Sequence, residues 1–235
     1  MQIRTDWTDR TIEVLRAAEA FAPVYAGRPF DNVNGLIGTG ALALYYFIKQ
    51  VAPPAVIEVG VWRGFSTWVI EQAAPGARIR CHDPLFGFLS LLDPAKSQPA
   101  YRSPHATYSQ REFSCLTDAE LGDGRRDAVV FFDDHQDMTA RIIQASRMGF
   151  RHLVFDDDWP GPCDHATLAH HLAAGSLSPD VAAAVRRYER FPLLWEPLTW
   201  NGATHAALPL PVTPALEQLH AERQFYSWVS YVELA

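Results

Sequence analysis

The sequence predicts a doubly wound α/β fold with a mostly parallel sheet and helices leading into it. From residue 55 onward, short apolar strands alternate with amphipathic helices, the pattern of parallel strands joined by crossover helices. Hydrophobic residues make up 48% of the 235 residues, which is ample for one sizeable core. We therefore expect a single domain over 1–235, with an N-terminal helical segment (1–50) and an α/β core (55–235).

The elements follow from apolar spacing and from turn residues. Before the core, apolar positions recur at helical spacing in two segments, 9–21 and 40–50. In the core we expect strand 55–60, helix 66–74, strand 78–84, strand 127–134, helix 138–150 and strand 152–158. Helices around 165–174 and 179–190 and strands in 193–200 and 228–235 complete the chain. Residues 84–126 are rich in Pro, Ser and other polar residues, and give one short strand at 106–110.

Composition limits the partners. The formal net charge is −7, and no run of Lys or Arg is longer than a pair, so a nucleic-acid partner is not expected. Three separated cysteines and a charged N-terminus without an apolar signal core indicate a reducing, cytoplasmic setting. No apolar run approaches the roughly 20 residues that span a bilayer. The sequence does not determine the oligomeric state, and a homo-oligomer is one of the alternatives.

A glycine turn follows the first core strand, in the stretch EVGVWRGFS. Gly60 and Gly64 lie four residues apart, Glu58 ends the strand and Asp83 ends the next one. A strand, a glycine turn, a helix and a second strand-end acid are typical of nucleotide-binding units, in which the acid binds ribose hydroxyls. The spacing is neither that of the dinucleotide motif nor that of a P-loop. The alternative is a sharp corner without a ligand.

This stretch resembles motif I of class I S-adenosylmethionine-dependent methyltransferases, E-x-G-x-x-x-G-x-S. The resemblance implies a Rossmann-like methyltransferase fold with S-adenosylmethionine as the cofactor. In that family the strand-end Glu, the two glycines and the hydroxyl residue surround the methionine part, and the acid of the second strand binds the ribose. Carried over, the cofactor-binding residues are Glu58, Gly60, Gly64, Ser66 and Asp83.

Two acidic clusters, FFDDHQD (131–137) and FDDDWP (155–160), each follow an apolar strand. The helix between them makes the strands parallel neighbours, so both clusters open on the carboxyl edge of the sheet, where we expect five acids and His135 to face one crevice. Carboxylates this close repel one another, and a hard divalent cation such as Mg²⁺ or Mn²⁺ relieves the repulsion. The alternative is that these Asp residues cap helices and solvate a loop.

The clusters are similar to those of metal-dependent O-methyltransferases that act on antibiotic sugars, which end strand four with D-G-D and strand five with I-D-D; related methyltransferase-24-type sequences carry D-G-D-H. The resemblance implies that Asp133, Asp156 and Asp157 hold the metal, and that His135 falls at the position of the base. Here Asp134 replaces the glycine, His135 replaces the acid and Asp158 is extra. An imidazole titrates near neutral pH and suits proton removal from a hydroxyl.

The sequence thus predicts an enzyme that transfers the methyl group of S-adenosylmethionine to a small-molecule acceptor, with a hydroxyl as the expected target and with metal assistance. Asp133 and His135 are the expected catalytic residues. Two alternatives stay open: a metal-dependent hydrolase of a phosphate or similar ester, and a methyltransferase-like domain that binds cofactor without turnover.

Overall fold

The computed structural model describes residues 1–32, 35–85, 100–224 and 226–235. A short strand and two helices come first, followed by the alternating core and a C-terminal region of short elements. In chain order they are β1 (Gln2–Arg4), α1 (Thr11–Ala26), α2 (Gly38–Val51), β2 (Ala55–Val59), α3 (Phe65–Ala73), β3 (Arg78–His82), β4 (Ala106–Ser109), α4 (Asp118–Leu121), β5 (Val129–Phe132), α5 (Met138–Arg147), β6 (His152–Phe155), α6 (Leu168–Ala174), α7 (Pro179–Ala184), β7 (Val185–Arg190), β8 (Leu193–Leu194), β9 (Leu198–Trp200), β10 (Ala203–His205), β11 (Ala207–Leu208), α8 (Glu217–Ala221) and β12 (Ser230–Leu234).

Among the residues that the structure describes, eight strands form the main sheet in the order β1-β7-β12-β6-β5-β2-β3-β4. Strand β12 runs antiparallel to both of its neighbours, and the other pairings of this sheet are parallel. The predicted fold class, a doubly wound and mostly parallel Rossmann-like sheet with N-terminal helices, is confirmed. The chain crosses from one half of the sheet to the other between β2 and β5, so the switch point where such sheets bind ligands lies there.

The central strands are buried on both faces, and successive side chains enter different cores. On β5, Val129 and Phe131 pack with α1, α2 and α3 on one side, whereas Val130 and Phe132 pack with α5, α6 and α7 on the other. Continuous apolar runs such as AVIEV and VVFF are therefore what the fold requires. This double-sided packing gives the strand ends a fixed platform.

The predicted helix over 179–190 is wrong in its second half. The helix α7 ends at Ala184, and Val185–Arg190 form the strand β7 between β1 and β12. Alanines and arginines favour helix locally, but cross-strand pairing decides the structure: Arg187 and Arg186 reach Glu233 on β12, at 3.1 and 3.2 Å. Charged pairs between strands, invisible to local propensity, stabilise β7.

The helices predicted over 9–21 and 40–50 correspond to α1 and α2, and the strand predicted at 106–110 corresponds to β4. Residues 86–99 of the adjoining polar region lie outside the described residues. Among the helices that the structure describes, none combines the length and the apolar character needed to cross a membrane.

Candidate active site

The carboxyl ends of the central strands hold the predicted site residues in register. The parallel hydrogen-bonding pattern continues one residue beyond each strand, so that four of these residues are fixed by backbone bonds to a neighbouring strand. Gly60 N donates to His82 O at 2.9 Å, Asp83 N to Ser109 O at 3.0 Å, Asp133 N to Val59 O at 2.8 Å and Asp156 N to Phe132 O at 2.9 Å. The sheet thus brings the glycine turn, the second-strand acid and the two acidic clusters to one edge.

The glycine turn sits in direct contact with the end of β5. Gly60 has a φ of +87°, and a Cβ built on it would lie 2.1 Å from the carbonyl oxygen of Asp133. No side chain fits there, because real Cβ atoms do not approach an oxygen closer than about 3 Å. Gly64 has a φ of +82° and immediately precedes α3, and its amide donates to Val61 O at 2.8 Å. Glycine is needed at both positions.

Glu58 lies behind the turn, inside the protein. Its side chain is fully buried and accepts hydrogen bonds from Ser66 Oγ at 2.5 Å, Thr67 Oγ1 at 2.6 Å and Cys81 Sγ at 3.1 Å. Burial raises the pKa of Glu58 to about 7, and these three donors oppose that shift. Glu58 therefore ties the first turn of α3 to β2 and β3, and presents no carboxylate oxygen to solvent.

Asp83 bridges the glycine turn and the segment after β3. Its Oδ2 accepts from Val61 N at 3.2 Å, and its Oδ1 accepts from Leu85 N at 2.8 Å. Each carboxylate oxygen has further lone pairs, and the side chain borders the cavity described next. Asp83 can therefore accept additional hydrogen bonds from a ligand without giving up its place in the turn.

One cavity of about 1430 Å³ opens at this edge of the sheet. Its volume exceeds the roughly 300–1,000 Å³ typical of a small-molecule pocket, so two ligands can lie in it together. The predicted residues that line it are Gly60, Ser66, Asp83, Asp133, His135, Asp156 and Asp157. Glu58 and Gly64 are not among the lining residues.

Asp133, Asp156 and Asp157, here called the carboxylate triad, crowd together at the floor of this cavity. Burial and then the charge of Asp156 raise the pKa of Asp133 well above its usual range, and burial followed by the charge of Asp157 does the same for Asp156. Burial also raises the pKa of Asp157. Three acids that resist ionisation together are a natural ligand set for a cation.

An orphaned atom in the triad supports this interpretation. Oδ1 of Asp156 is buried and has no hydrogen-bond partner among the described residues, although the Ser227 hydroxyl lies near enough to this carboxyl to lower its pKa. A buried acceptor without a donor is costly, and an oxygen-ligated divalent ion would satisfy it. The residues present therefore fit Mg²⁺ or Mn²⁺.

His135 stands at the mouth of the cavity, with its side chain 54% exposed. Its Nε2 lies 3.6 Å from Asp157 Oδ2 and 4.0 Å from Asp133 Oδ1. The φ of His135 is +51° and that of Asp157 is +54°, a left-handed conformation that non-glycine residues seldom adopt. The backbone is strained at these two residues, as is common at functional sites.

The other acids of the two clusters form hydrogen bonds with neighbouring groups. Asp137 caps α5 by accepting from Thr139 N at 2.8 Å and Ala140 N at 3.1 Å. Asp134 Oδ2 accepts from Arg141 Nε at 3.0 Å. The sequence predicts five acids and His135 at one crevice, and five acids of the two clusters do line the cavity with His135, namely Asp133, Asp134, Asp137, Asp156 and Asp157. Asp158 points into the protein instead.

Asp158 joins three elements beneath the site. It is fully buried, and it accepts hydrogen bonds from Tyr188 Oη and from Ala169 N, each at 2.7 Å. The chain takes a left-handed turn at Asp157, with a φ of +54°, so strand alternation does not continue here and a neighbour of an acid that faces the cavity need not face it. Asp158 fixes the loop that carries Asp157.

Arg141 is a site residue that the sequence interpretation missed. Its side chain is 8% exposed, lines the cavity, and lies 2.5 Å from Asp134 and 2.6 Å from Glu112. The available signal is its place among Met138, Ile142 and Ala145 on the buried face of α5. A cation on the apolar side of an amphipathic helix is rarely accidental, since it needs a buried partner.

Comparison with known proteins gives a likeness of overall structure. No protein-family model matches this sequence, and a search of curated proteins finds no match. Among solved structures, the O-methyltransferase TomG from Streptomyces achromogenes, in complex with SAM, is 14% identical; the match covers 95% of this chain and 90% of that chain with a TM-score of 0.46.

Two further solved structures are similar at the same level. The O-methyltransferase from Bacillus cereus in complex with SAH is 14% identical, with 97% of this chain and 91% of that chain covered and a TM-score of 0.45. Human N-acetylserotonin methyltransferase in complex with SAM is 9% identical, with 97% and 57% covered and a TM-score of 0.44.

The geometry itself defines what this site can do. A glycine turn with a hydrogen-bonding acid, Asp83, occupies one part of the cavity, and a carboxylate triad with an adjacent imidazole occupies another. Such a cavity can hold a hydroxyl-rich ligand beside a divalent cation, and the imidazole can accept a proton from that ligand.

Proposed function

We propose that this protein is an S-adenosylmethionine-dependent methyltransferase that acts on a hydroxyl group of a small molecule, with a divalent cation bound by Asp133, Asp156 and Asp157. The observation that carries the proposal is that one cavity joins the motif-I turn to the carboxylate triad. The close approach of Gly60 to Asp133 makes the two parts immediate neighbours.

The donor part is built from the turn and from Asp83. We assign the ribose hydroxyls to the Asp83 carboxylate, whose oxygens keep free lone pairs toward the cavity. Gly60, Gly64 and Ser66 shape the turn around the methionine part, and Glu58 acts from behind by holding Ser66 and Thr67. In this assignment Glu58 is a positioning residue.

The acceptor part is the carboxylate triad with His135. A bound Mg²⁺ or Mn²⁺ would lower the pKa of an acceptor hydroxyl and hold its oxygen. With both groups bound, the cofactor would supply its methyl group to the acceptor oxygen and leave as S-adenosylhomocysteine, with a methyl ether as the other product. His135 Nε2, which faces Asp133 and Asp157, takes the hydroxyl proton. The chain contributes alignment and proton removal, since the sulfonium already carries the reactivity.

Calorimetric titration with S-adenosylmethionine tests the donor assignment, with NAD as the ligand control. We expect binding to the wild-type protein, and a loss of about 10- to 100-fold in affinity for Asp83→Ala, since hydrogen bonds to a charged group contribute about 1.5–3 kcal/mol. Asp123→Ala removes the same charge from an exposed loop and should bind as the wild type does. Absence of S-adenosylmethionine binding to the wild type would refute the proposal.

The acceptor assignment needs a separate measurement. Methyl transfer to a panel of small hydroxyl compounds should depend on added Mg²⁺ and should disappear in Asp133→Asn, while S-adenosylmethionine affinity persists. Retained cofactor binding without turnover on any acceptor would favour the non-catalytic alternative. Release of phosphate from ester substrates without cofactor binding would favour the hydrolase.

A further inference from the structure

We propose that a second cation site lies at the rim of the cavity, formed by His135, Asp164 and His165, and that it selects a zinc-like transition-metal ion. These three residues are called the rim cluster. Ligand atoms of all three lie within 4.8 Å of one another. The proposal does not depend on the methyltransferase assignment, because its ligands and its test involve neither cofactor nor acceptor.

The fold assembles the rim cluster from two loops. His135 follows β5, and Asp164 and His165 belong to the segment between β6 and α6. Asp164 stands between the imidazoles: its Oδ1 is 2.8 Å from His165 Nδ1, and its Oδ2 is 4.0 Å from His135 Nδ1. The two rings lie 5.6 Å apart, edge to face. One ion placed between them needs only a small inward shift of these side chains.

The His165 ring is held firmly although its loop is exposed. The side chain of His165 is only 4% exposed, whereas that of Asp164 is 76% exposed. Cys163 Sγ donates to the His165 carbonyl oxygen at 3.1 Å, and the Thr167 hydroxyl donates to Trp159 O at 2.6 Å. These bonds close the loop on itself and hold the backbone that carries His165, so part of the ordering cost of a metal site is already met by the fold.

The donor atoms determine the kind of ion. Two imidazole nitrogens and one carboxylate oxygen suit zinc and neighbouring transition metals, with open positions left for water. The carboxylate triad, which offers oxygen alone, suits Mg²⁺ instead. His135 lies between the two sets, because its Nδ1 faces Asp164 and its Nε2 faces Asp157. An ion at Nδ1 would leave the proton on Nε2, so His135 can take a hydroxyl proton only when the rim cluster holds no ion.

Cobalt(II) tests the rim cluster, because its visible d–d absorption reports ligation in a low-coordinate nitrogen and oxygen site. Titration of the wild-type protein with Co²⁺ should give one saturable band, displaced by Zn²⁺ and unaffected by excess Mg²⁺. Asp164→Ala and His165→Ala should each weaken Co²⁺ binding on the order of 100-fold, since even losing an outer partner of a ligand costs 10- to 100-fold. Asp164 is exposed enough that its removal leaves the packing intact.

Two controls separate the rim cluster from its neighbours. Asp133→Asn alters the triad and should keep the band. His171→Ala removes a nearby histidine that bonds Ser176 and should also keep it. A wild-type protein without a stoichiometric band would overturn the proposal. So would a band that survives in both Asp164→Ala and His165→Ala, or one that is lost in Asp133→Asn, since the ion would then occupy the triad.

Discussion

Replacement of Gly60 by alanine tests the contact between the glycine turn and β5. The new Cβ would lie 2.1 Å from the carbonyl oxygen of Asp133 and 3.2 Å from the amide nitrogen of Asp134. Real Cβ atoms essentially never approach another atom closer than 3.0 Å, so the two strand ends must part by at least about 0.9 Å to bring the 2.1 Å contact to that limit. The backbone cannot yield there as the end of a flexible side chain would.

Two costs add up in this variant. The left-handed conformation costs an alanine about 1–2 kcal/mol relative to glycine. Parting the strands also weakens the backbone bonds Asp133 N to Val59 O and Gly60 N to His82 O, at about 1 kcal/mol each. We therefore expect Gly60→Ala to lower the free energy of unfolding by about 3–4 kcal/mol.

Gly149→Ala provides the matched control. Gly149 has a φ of +85°, nearly that of Gly60, but no described heavy atom lies within 4 Å of a Cβ built on it. This variant should show the conformational cost alone, about 1–2 kcal/mol. The difference between the two variants, about 2 kcal/mol, isolates the strand contact.

Urea unfolding followed by tryptophan fluorescence measures both variants, and thermal melting gives an independent check. For a domain of this size, a difference of 2 kcal/mol corresponds to about 4–8 °C in Tm. Equal destabilisation of Gly60→Ala and Gly149→Ala would refute the reasoning, because the turn would then not press against β5.

Four further predictions concern the acids and one of their partners. Folding raises the pKa of Glu58 from 4.5 to about 7, so its contribution to stability is complete below pH 4.5 and is lost as the pH rises through 7. In the wild type the free energy of unfolding should therefore fall by about 3 kcal/mol between these two pH values. Glu58→Gln should not show this fall, so its urea midpoints should vary less with pH than those of the wild type. Asp156→Asn should raise Tm by about 2–4 °C without added metal, because it relieves repulsion in the triad, and should abolish any stabilisation by Mg²⁺; a lower Tm in metal-free buffer would contradict this. Tyr188→Phe removes a donor from the buried Asp158 carboxylate and should cost about 1–3 kcal/mol in chemical denaturation, and a neutral result would mean that water replaces the hydroxyl. Asp137→Ala should cost about 0.5–2 kcal/mol through loss of the α5 cap, with Asp137→Ser as the variant expected to keep most of it.

The sequence was informative where local pattern and long-range structure agree. Apolar runs such as VVFF can only be strands buried on both faces, and the glycines and acids that follow them must then share an edge. For this reason the parallel pairing of β5 with β6 and the convergence of Asp83, Asp133 and Asp156 could be foreseen.

Side-chain direction at the strand ends could not be predicted in the same way. Asp157 faces the cavity and Asp158 the interior, because the chain adopts a left-handed turn at Asp157 that spacing does not reveal. Glu58 likewise lies in the motif-I position, yet its oxygens bond Ser66, Thr67 and Cys81. Motifs locate residues along an element, whereas hydrogen-bond partners from distant segments decide which way they point.

Contacts between residues far apart in the chain could not be predicted from the sequence. The strand β7 depends on Glu233, 46 residues beyond Arg187, and the rim cluster joins His135 to a loop on the far side of α5 and β6. Neither pairing leaves a local trace, since each residue reads as an ordinary polar position in its own segment.

Three left-handed residues that line the cavity imply a trade-off between stability and activity. Trp62, His135 and Asp157 all have φ between +46° and +54°, and glycine at any of them would relieve about 1–2 kcal/mol of strain. A search for thermostable variants should therefore converge on these positions and, if the proposed roles of His135 and Asp157 hold, should lose turnover as it gains heat resistance. The most stable variant of this fold would then be one that has lost its turnover.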